Sequence, residues 1–595
     1  MSPRWAAWRG AQGMVAVGVI GVTLVVRAVL LSGSYFNQDD FYMTGRAAES
    51  DLTWEYLFRD FAGHVNPLQQ LTLWLVAHGT PYDWPVLAIG ILVVNITAVV
   101  LVWLILSRLL PGRWSRVVLL AMFSWAPLTL VSTLWWSASM FLWPHVLCSL
   151  TAVWLLVRWK QGGRAVPHLA GIVVITLVAL LWHERAVLIP PLLFGVAVAL
   201  ADEVRGWRRL TAALREFLWL WVGVVLVAIA FLVAHARLTE VEGGGGTPAQ
   251  LLGVTWSFLG QNAAVGLTGG PWAGQVEGGA VRPATWVVVV SLALVVLVLV
   301  ALLWRGGPAR RWAVAVLFGY LAADTALLLS GRAAFGPIIG LDPRYSSDIL
   351  HAAVLCLALA LRGGPDWLGL GLGWSGLGWI TLPRQRAAAV TLLVGGYGVA
   401  CVFGTAVQVP QFQNKADREF VTNLRTDLAL DPTQVIFDEL APAELVLPLV
   451  GDDSRYSHIF GPLPEHPAFD EPSPRMRIVD EDGHLVPLVF DGTVSAQPGP
   501  DADCGYEVDR TTVPVPFLLP VEGRLAVRVS YYSANESTVS VAAGDWQDSF
   551  LARRGPNEVW LVLPDLPGLV SAVDLSNDGR ATVCVTGIDV GLPKR

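Results

Sequence analysis

Long apolar runs follow one another through the first 410 residues of this 595-residue chain, the densest being VVVVSLALVVLVLVALL at 287–303. Hydrocarbon offers no partner to an open backbone N–H or C=O, so a run of roughly 20 such residues crosses a bilayer as a helix. Charged residues make up 15% of the chain, against about 25% in soluble proteins. That pattern excludes an ordinary soluble enzyme and a disordered chain. The basic surface that nucleic acid requires is absent as well. The sequence reads as a polytopic α-helical membrane protein.

Eleven spans can be laid on it, at 15–31, 84–106, 117–134, 142–157, 169–181, 186–200, 218–233, 286–303, 312–329, 350–361 and 388–407. The pair covering 169–200 can also be read as one broken or re-entrant element. Basic residues orient the set. With the N-terminus inside, cytoplasmic segments hold 18 of the 26 Lys and Arg of the body, among them Arg4, Arg9, Arg205 and Arg305, the bias expected of cytoplasmic loops. No small-residue cleavage site follows the first segment, so it reads as a retained span rather than a cleaved signal peptide. Eleven spans put the C-terminus outside. Arg outnumbers Lys by 37 to 3, a habit of high-GC bacterial genomes, and the expected home is a bacterial cytoplasmic membrane.

Charge divides the chain in two. Residues 411–595 carry 14 basic and 29 acidic side chains, a net of −15, while residues 1–410 carry 26 and 18, a net of +8. The expected domains are thus a membrane body at 1–410 and an extracytoplasmic domain at 411–595. In the latter, alternating stretches at 524–532, 538–543, 559–563 and 581–585, separated by turn residues, predict an antiparallel all-β sandwich. Cys504 and Cys584 are the cysteines outside the body, and in an oxidising space they should pair. Closing so long a loop contributes about 4 kcal/mol in the chain-entropy model.

The loop after the first span, about 32–82, concentrates chemistry: YFNQDDFYMTGR opens it, with adjacent carboxylates Asp39 and Asp40. One held ionised near the headgroups can take a proton from a sugar hydroxyl while the other orients the acceptor; an Asp pair can equally cap a helix. Mixed spacing at 53–61 and 68–75 suggests amphipathic surface helices. His183, Glu184 and Arg185 stand between two apolar runs, where three ionisable groups are expensive unless they line a polar cavity or satisfy one another. Arg332 and the DPRYSSD stretch, with Asp342, Arg344, Tyr345 and Asp348, lie beyond the ninth span. An Arg beside a Tyr hydroxyl can grip a phosphate, or pair with a neighbouring acid. His64 is a further pocket candidate. All three clusters fall on one side of the membrane. The loop at 235–284, with GGGG at 243–246, suggests a flexible lid or a plain connector. No HExxH, Walker, GxGxxG or GxSxG pattern occurs, so no metal site and no required cofactor are expected, a divalent metal being optional.

The acid pair after the first span, the long outer loop and the distant Arg/Tyr cluster resemble the GT-C superfamily of integral-membrane glycosyltransferases. That resemblance implies a polyprenyl-phosphate sugar donor and an Asp of the first outer loop, here Asp39 or Asp40, as catalytic base. It also implies outer-loop Arg and Tyr residues, here Arg344 and Tyr345 with Arg332, on the carrier phosphate. The appended sandwich resembles the carbohydrate-binding modules of actinobacterial arabinofuranosyltransferases, with Tyr531, Tyr532 or Trp546 as sugar platforms or as core. The expectation is an inverting glycosyltransferase passing a sugar to a cell-envelope glycan or glycolipid, its partners being the donor, the acceptor and membrane lipid. The alternative is a transporter or flippase of a lipid-linked glycan, which would need ionisable groups deep in the bundle such as Asp324.

Overall fold

The computed structural model describes Trp8 and residues 10–61, 63–201, 206–239, 245–304, 307–362 and 383–594; Arg4, Arg9, Arg205, Arg305, Gly243 and Gly244 lie outside them. The chain divides into two compact units. The first comprises Met1–Phe36, Ser50–Leu75 and Asp83–Asn414, the second Asn37–Glu49, Val76–Tyr82 and Lys415–Arg595. The expected boundary near 410 is therefore four residues early. The expected contiguity of the domains is also corrected, because the C-terminal unit takes in two pieces of the first long loop.

The helices run α1 (Ala11–Ser32), α2 (Asp39–Ala48), α3 (Trp54–Leu57), α4 (Pro67–Gly79), α5 (Trp84–Leu109), α6 (Ser115–Trp125), α7 (Val131–Leu134), α8 (Trp136–Lys160), α9 (Ala165–Trp182) and α10 (Ile189–Ala199). They continue with α11 (Arg208–Glu216), α12 (Leu218–Leu238), α13 (Pro248–Thr255), α14 (Ala264–Leu267), α15 (Thr285–Trp304), α16 (Pro308–Arg332), α17 (Ile349–Arg362) and α18 (Pro383–Phe412). Among the described residues, eight helices are long and apolar enough to cross a membrane. Three of the eleven expected spans fall short. The one at 117–134 breaks because Pro127 forces Ala126 out of the helical region (φ −54°, ψ 124°), leaving α6, a 3₁₀ turn and α7. The others, α10 and α17, have 11 and 14 residues. Buried on every side, α17 packs within the bundle.

Burial sorts the helices. Two thirds (67%) of the apolar window of α8 is buried, against 22% for α12 and α15, whose exposed Val and Leu side chains suit contact with lipid. Residues 240–244 of the expected lid or connector at 235–284 lie outside the described residues; from Gly245 onward the segment is built structure. Thr247 and Gln250 form a capping box with Pro248 at the first helical position, starting α13. A π-helical turn at Trp256–Ala263, α14 and the hairpin β1 (Gly274–Glu277) with β2 (Ala280–Pro283) follow. The expected surface helices at 53–61 and 68–75 are the single turn α3 and the longer α4.

In the second unit α19 (Lys415–Leu430) follows a break at Asn414, where φ is 49°. Six charged side chains between Lys415 and Asp427 set it apart from the apolar α18. A four-stranded sheet comes next, in the order β4 (Ala468–Phe469), β3 (Val435–Ile436), β5 (Met476–Val479), β6 (Leu485–Pro487), with β3 parallel to β4 and β5. The short α20 (Tyr456–Phe460) lies within that stretch. The sandwich thus fills only the second half of the expected β region. One sheet is β13 (Gly555–Leu563), β10 (Leu525–Ser533), β15 (Val583–Pro593) and β7 (Phe490–Ser495), with β8 (Tyr506–Val508) on β15. The other is β12 (Trp546–Ala552), β11 (Ser537–Ala543), β14 (Val570–Asn577) and β9 (Val513–Val521).

Inward residues such as Val527, Val529, Val583 and Leu561 meet Val539, Val541, Val573 and Leu575 across the core. Ala526, Trp560 and Val562, on the opposite face of the first sheet, pack against Val435, Met476 and Ile478 of the smaller sheet. Strand β13 is consequently buried on both faces and loses its alternation. Tyr531 is core, 4% exposed, whereas Tyr532 is 50% exposed; Trp546 packs against the core edge.

Cys504 and Cys584 are bonded, tying the turn before β8 to β15 across 80 residues. Cys504→Ser or Cys584→Ser should destabilise the C-terminal unit by about 2–4 kcal/mol. Thermal unfolding of the detergent-solubilised protein, with and without reductant, would show this as a lower transition in the mutants and no further drop when they are reduced.

Candidate functional site

In the first unit, α9 ends at Trp182 and a 3₁₀ turn at Glu184–Leu188 leads into α10. The turn places three ionisable groups at one end of the bundle. His183 Nδ1 accepts from the Arg185 backbone N–H at 3.0 Å and caps the turn. Glu184 Oε1 lies 2.7 Å from His64 Nδ1, and Arg332 Nη2 lies 2.9 Å from His64 Nε2. A guanidinium only donates, so Nε2 is the unprotonated nitrogen and Nδ1–H donates to Glu184. His64 is thereby fixed as one tautomer between an acid and a base. The Asn66 side-chain amide ends 3.1 Å from Glu184 Oε2, and because a carboxylate only accepts, its nitrogen is assigned to that side.

Burial pushes the Glu184 carboxyl up, but the imidazoles of His183 and His64 outweigh it and hold the group below the usual carboxylate range. Burial also pushes His183 down to about 4, against the opposing charge of Glu184.

Arg185 turns the other way. Its Nη1 donates to the Tyr345 carbonyl at 2.7 Å and to Asp348 Oδ1 at 2.8 Å, and its Nη2 lies 3.5 Å from Asp324 Oδ1. The Tyr320 hydroxyl donates to Asp348 Oδ2 at 2.7 Å, and His145 Nε2 stands 3.9 Å from that oxygen. Desolvation works against the charged guanidinium, yet Asp324 and Asp348 outweigh it and keep Arg185 above its usual value. The expected pocket residue Arg185 is thus a clamp on the 343–348 segment. Ser347 Oγ adds contacts to Leu128 O (2.7 Å) and Pro343 O (2.6 Å).

On this pinned segment, Asp342 accepts from the Arg344 backbone N–H at 2.9 Å and from its Nε at 2.7 Å. The Arg344 guanidinium lies 3.9 Å over the Trp135 ring, a stacking that fixes its plane. The Tyr345 ring centroid is 6.0 Å away. Sequence reasoning singled out Arg344 and Arg185 but not Trp135, Tyr320 and His145, which the structure places beside Arg344 and Asp348. One signal was available: Tyr320 and Asp324 stand four apart on α16 and so share a face.

Asp39 and Asp40 open α2, in the second unit. Asp40 is fully buried, its Oδ2 accepting from the Asn37 backbone N–H at 3.0 Å. Gln38, just before the pair, has φ 26° and ψ −85°, a conformation seldom adopted by a residue with a side chain. Asp417, at the start of α19, is pushed up to about 7 by burial and by the charge of Asp40. Among the described residues no group of three or more His, Cys, Asp or Glu could hold a metal ion.

No family model matches the chain, and no curated protein matches it. Solved structures do. The chain is similar to the arabinofuranosyltransferase AftD from Mycobacteria, in a mutant form at 13% identity and TM-score 0.38, and in another structure at 12% and 0.36. It is also similar to the arabinosyltransferase EmbB from Mycobacterium smegmatis, at 12% identity and TM-score 0.29. All of this chain is covered in each, but it spans only 61%, 58% and 65% of those chains. At such identity the likeness says nothing of individual residues.

Arg185→Met should leave Asp348 and Asp324 buried without their counter-charge and cost about 3–5 kcal/mol, read as a lower unfolding temperature in detergent; Tyr320→Phe, which removes one hydrogen bond, should cost far less. A second expectation concerns pH. In the folded protein Asp417 holds its proton up to about 7, whereas unfolded it would release it near the ordinary aspartate value. Stability conferred by the C-terminal unit therefore falls as pH rises from about 4 through 7. Asp417→Asn removes that fall, so the mutant should gain on wild type as pH rises and match it near pH 4 in thermal unfolding.

Proposed function

We propose that this protein is an inverting glycosyltransferase working at the outer face of a bacterial cytoplasmic membrane, with a polyprenyl-phosphate sugar as donor and a cell-envelope glycan or glycolipid as acceptor. Asp39 or Asp40 takes the proton of an acceptor hydroxyl. As the bond from that oxygen to the anomeric carbon forms, the bond from the carbon to the phosphate oxygen breaks. The electron pair leaves with polyprenyl phosphate, and a single displacement inverts the centre. Phosphate leaves without an acid to protonate it, so a divalent metal is optional to this chemistry.

The observation that carries the reading is the seat of Arg344. A guanidinium braced by Asp342, laid on Trp135 and mounted on a segment pinned by Arg185 is a cation of fixed position and plane. Such a group suits a phosphate whose charge grows as it leaves. Tyr345 and Arg332 are assigned to the same phosphate, and His64, His183 and Glu184 to the wall of the acceptor pocket. The strained Gln38 beside the acid pair supports a functional role for α2.

The sandwich would bind neutral carbohydrate, with the exposed Tyr532 as its stacking face. A transporter reading rests on the buried Asp324, but that acid faces Arg185 at 3.5 Å, which makes it part of a brace.

Membranes supplied with radiolabelled polyprenyl-phosphate sugars and cell-wall acceptors test this reading. Transfer should fall at least about 100-fold in Asp39→Asn or Asp40→Asn, and comparably in Arg344→Gln, with protein levels unchanged. Transfer that survives both aspartate changes would sink the mechanism.

A further inference from the structure

We infer that the C-terminal unit has a second role besides any contact with carbohydrate: it holds α2, and with it the acid pair, in the position from which the base acts. This rests on the assignment of the base to Asp39 or Asp40. The rest of that unit, to which α2 itself belongs, closes on the helix at four places. Arg46 Nη2 lies 2.5 Å from Asp453 Oδ2. His458 Nδ1 lies 2.9 Å from Glu49 Oε1, and its Nε2 lies 3.3 Å from the Tyr42 carbonyl. Phe41, the residue after the acid pair, stacks on Tyr82 at 5.7 Å and meets Phe460 at 6.2 Å. Through Phe460 it joins Phe420 and Tyr456, so the residue next to Asp40 is rooted in the aromatic core of the unit.

The fourth contact is steric. A Cβ at position 45 would stand 2.3 Å from the His458 carbonyl oxygen. Gly45 is therefore needed for α2 to lie this close to α20, and any side chain must push the two apart. A helix that merely capped a loop would not need a backbone approach of this kind, together with an ion pair and an imidazole–carboxylate contact from residues more than 400 positions away. Because Asp40 is fully buried and fixed through its own helix, a shift of α2 moves the carboxylates with it. A displacement of about 1 Å at a reacting group can cost on the order of 100-fold in rate. Arg46, Gly45, Phe41 and His458 are, on this account, positioning residues.

The test uses the full-length protein in membranes and begins with Asp39→Asn and Asp40→Asn. If both retain transfer, the base assignment fails, and the positioning role falls with it. If either loses transfer, Arg46→Glu and Gly45→Ala are compared with wild type. Each should lower kcat at least about 10-fold while leaving the KM for the donor within about twofold, a split that general unfolding would not give. The double change Arg46→Glu with Asp453→Arg restores the ion pair in reverse and should recover most of kcat. Hydrogen exchange of the amides at 39–48 should quicken in the single changes and slow again in the double. Unchanged kcat in both Arg46→Glu and Gly45→Ala would overturn the inference and leave the base assignment standing. A loss in Arg46→Glu that the double change does not recover would overturn it too.

Discussion

Arg185 brings a full positive charge into a bundle walled by Leu, Val and Ala, and the segment at 343–348 takes its shape from how that charge is met. A guanidinium out of water needs counter-charge and hydrogen bonds together, and removing either leaves several kcal/mol unmet. Asp348 supplies both, the Tyr345 carbonyl adds a third contact, and Asp324 completes the neutralisation from α16. Because two of these three partners lie on the 343–348 segment, neutralising Arg185 also immobilises the neighbours of Arg344. The seat of the candidate phosphate cation is thus a by-product of solving a burial problem nearby.

The same economy operates around His64. Glu184 is half-buried, and its carboxylate is met by the His64 Nδ1–H at 2.7 Å. His64 in turn is held by Arg332 on its second nitrogen. The result is a chain of polar groups crossing from the turn after α9 to the end of α16, each satisfying the next. Networks of this kind are rigid when every member is paired.

The second unit is more than an appendage. Its sandwich and its smaller sheet share the two-faced strands β10 and β13, and its aromatic core takes in Phe41 and Tyr82 from the first long loop. The rings at 41 and 82 are buried together with Phe460. Packing them against Phe460 explains why the unit boundary does not follow the chain.

Hydropathy and charge were enough to determine a bundle of apolar helices, an all-β region in the acidic C-terminal part, two strands close to their observed bounds (β10 and β11) and the pairing of Cys504 with Cys584. Each rests on local composition: a bilayer needs about 20 apolar residues, a half-buried strand alternates, and two cysteines beyond the bundle have each other. The helix break at Ala126 was legible in principle, since Pro127 acts on its immediate neighbour.

Tertiary structure alone decided the rest. Whether Arg185 is a ligand or a brace depends on Asp348, 163 residues away, and whether Gly45 is indifferent or obligatory depends on the backbone at His458. Whether Tyr531 stacks on sugar or fills the core depends on which sheet faces it. None of these leaves a local trace, because spacing along the chain records a residue's own helix or strand but not what packs against it.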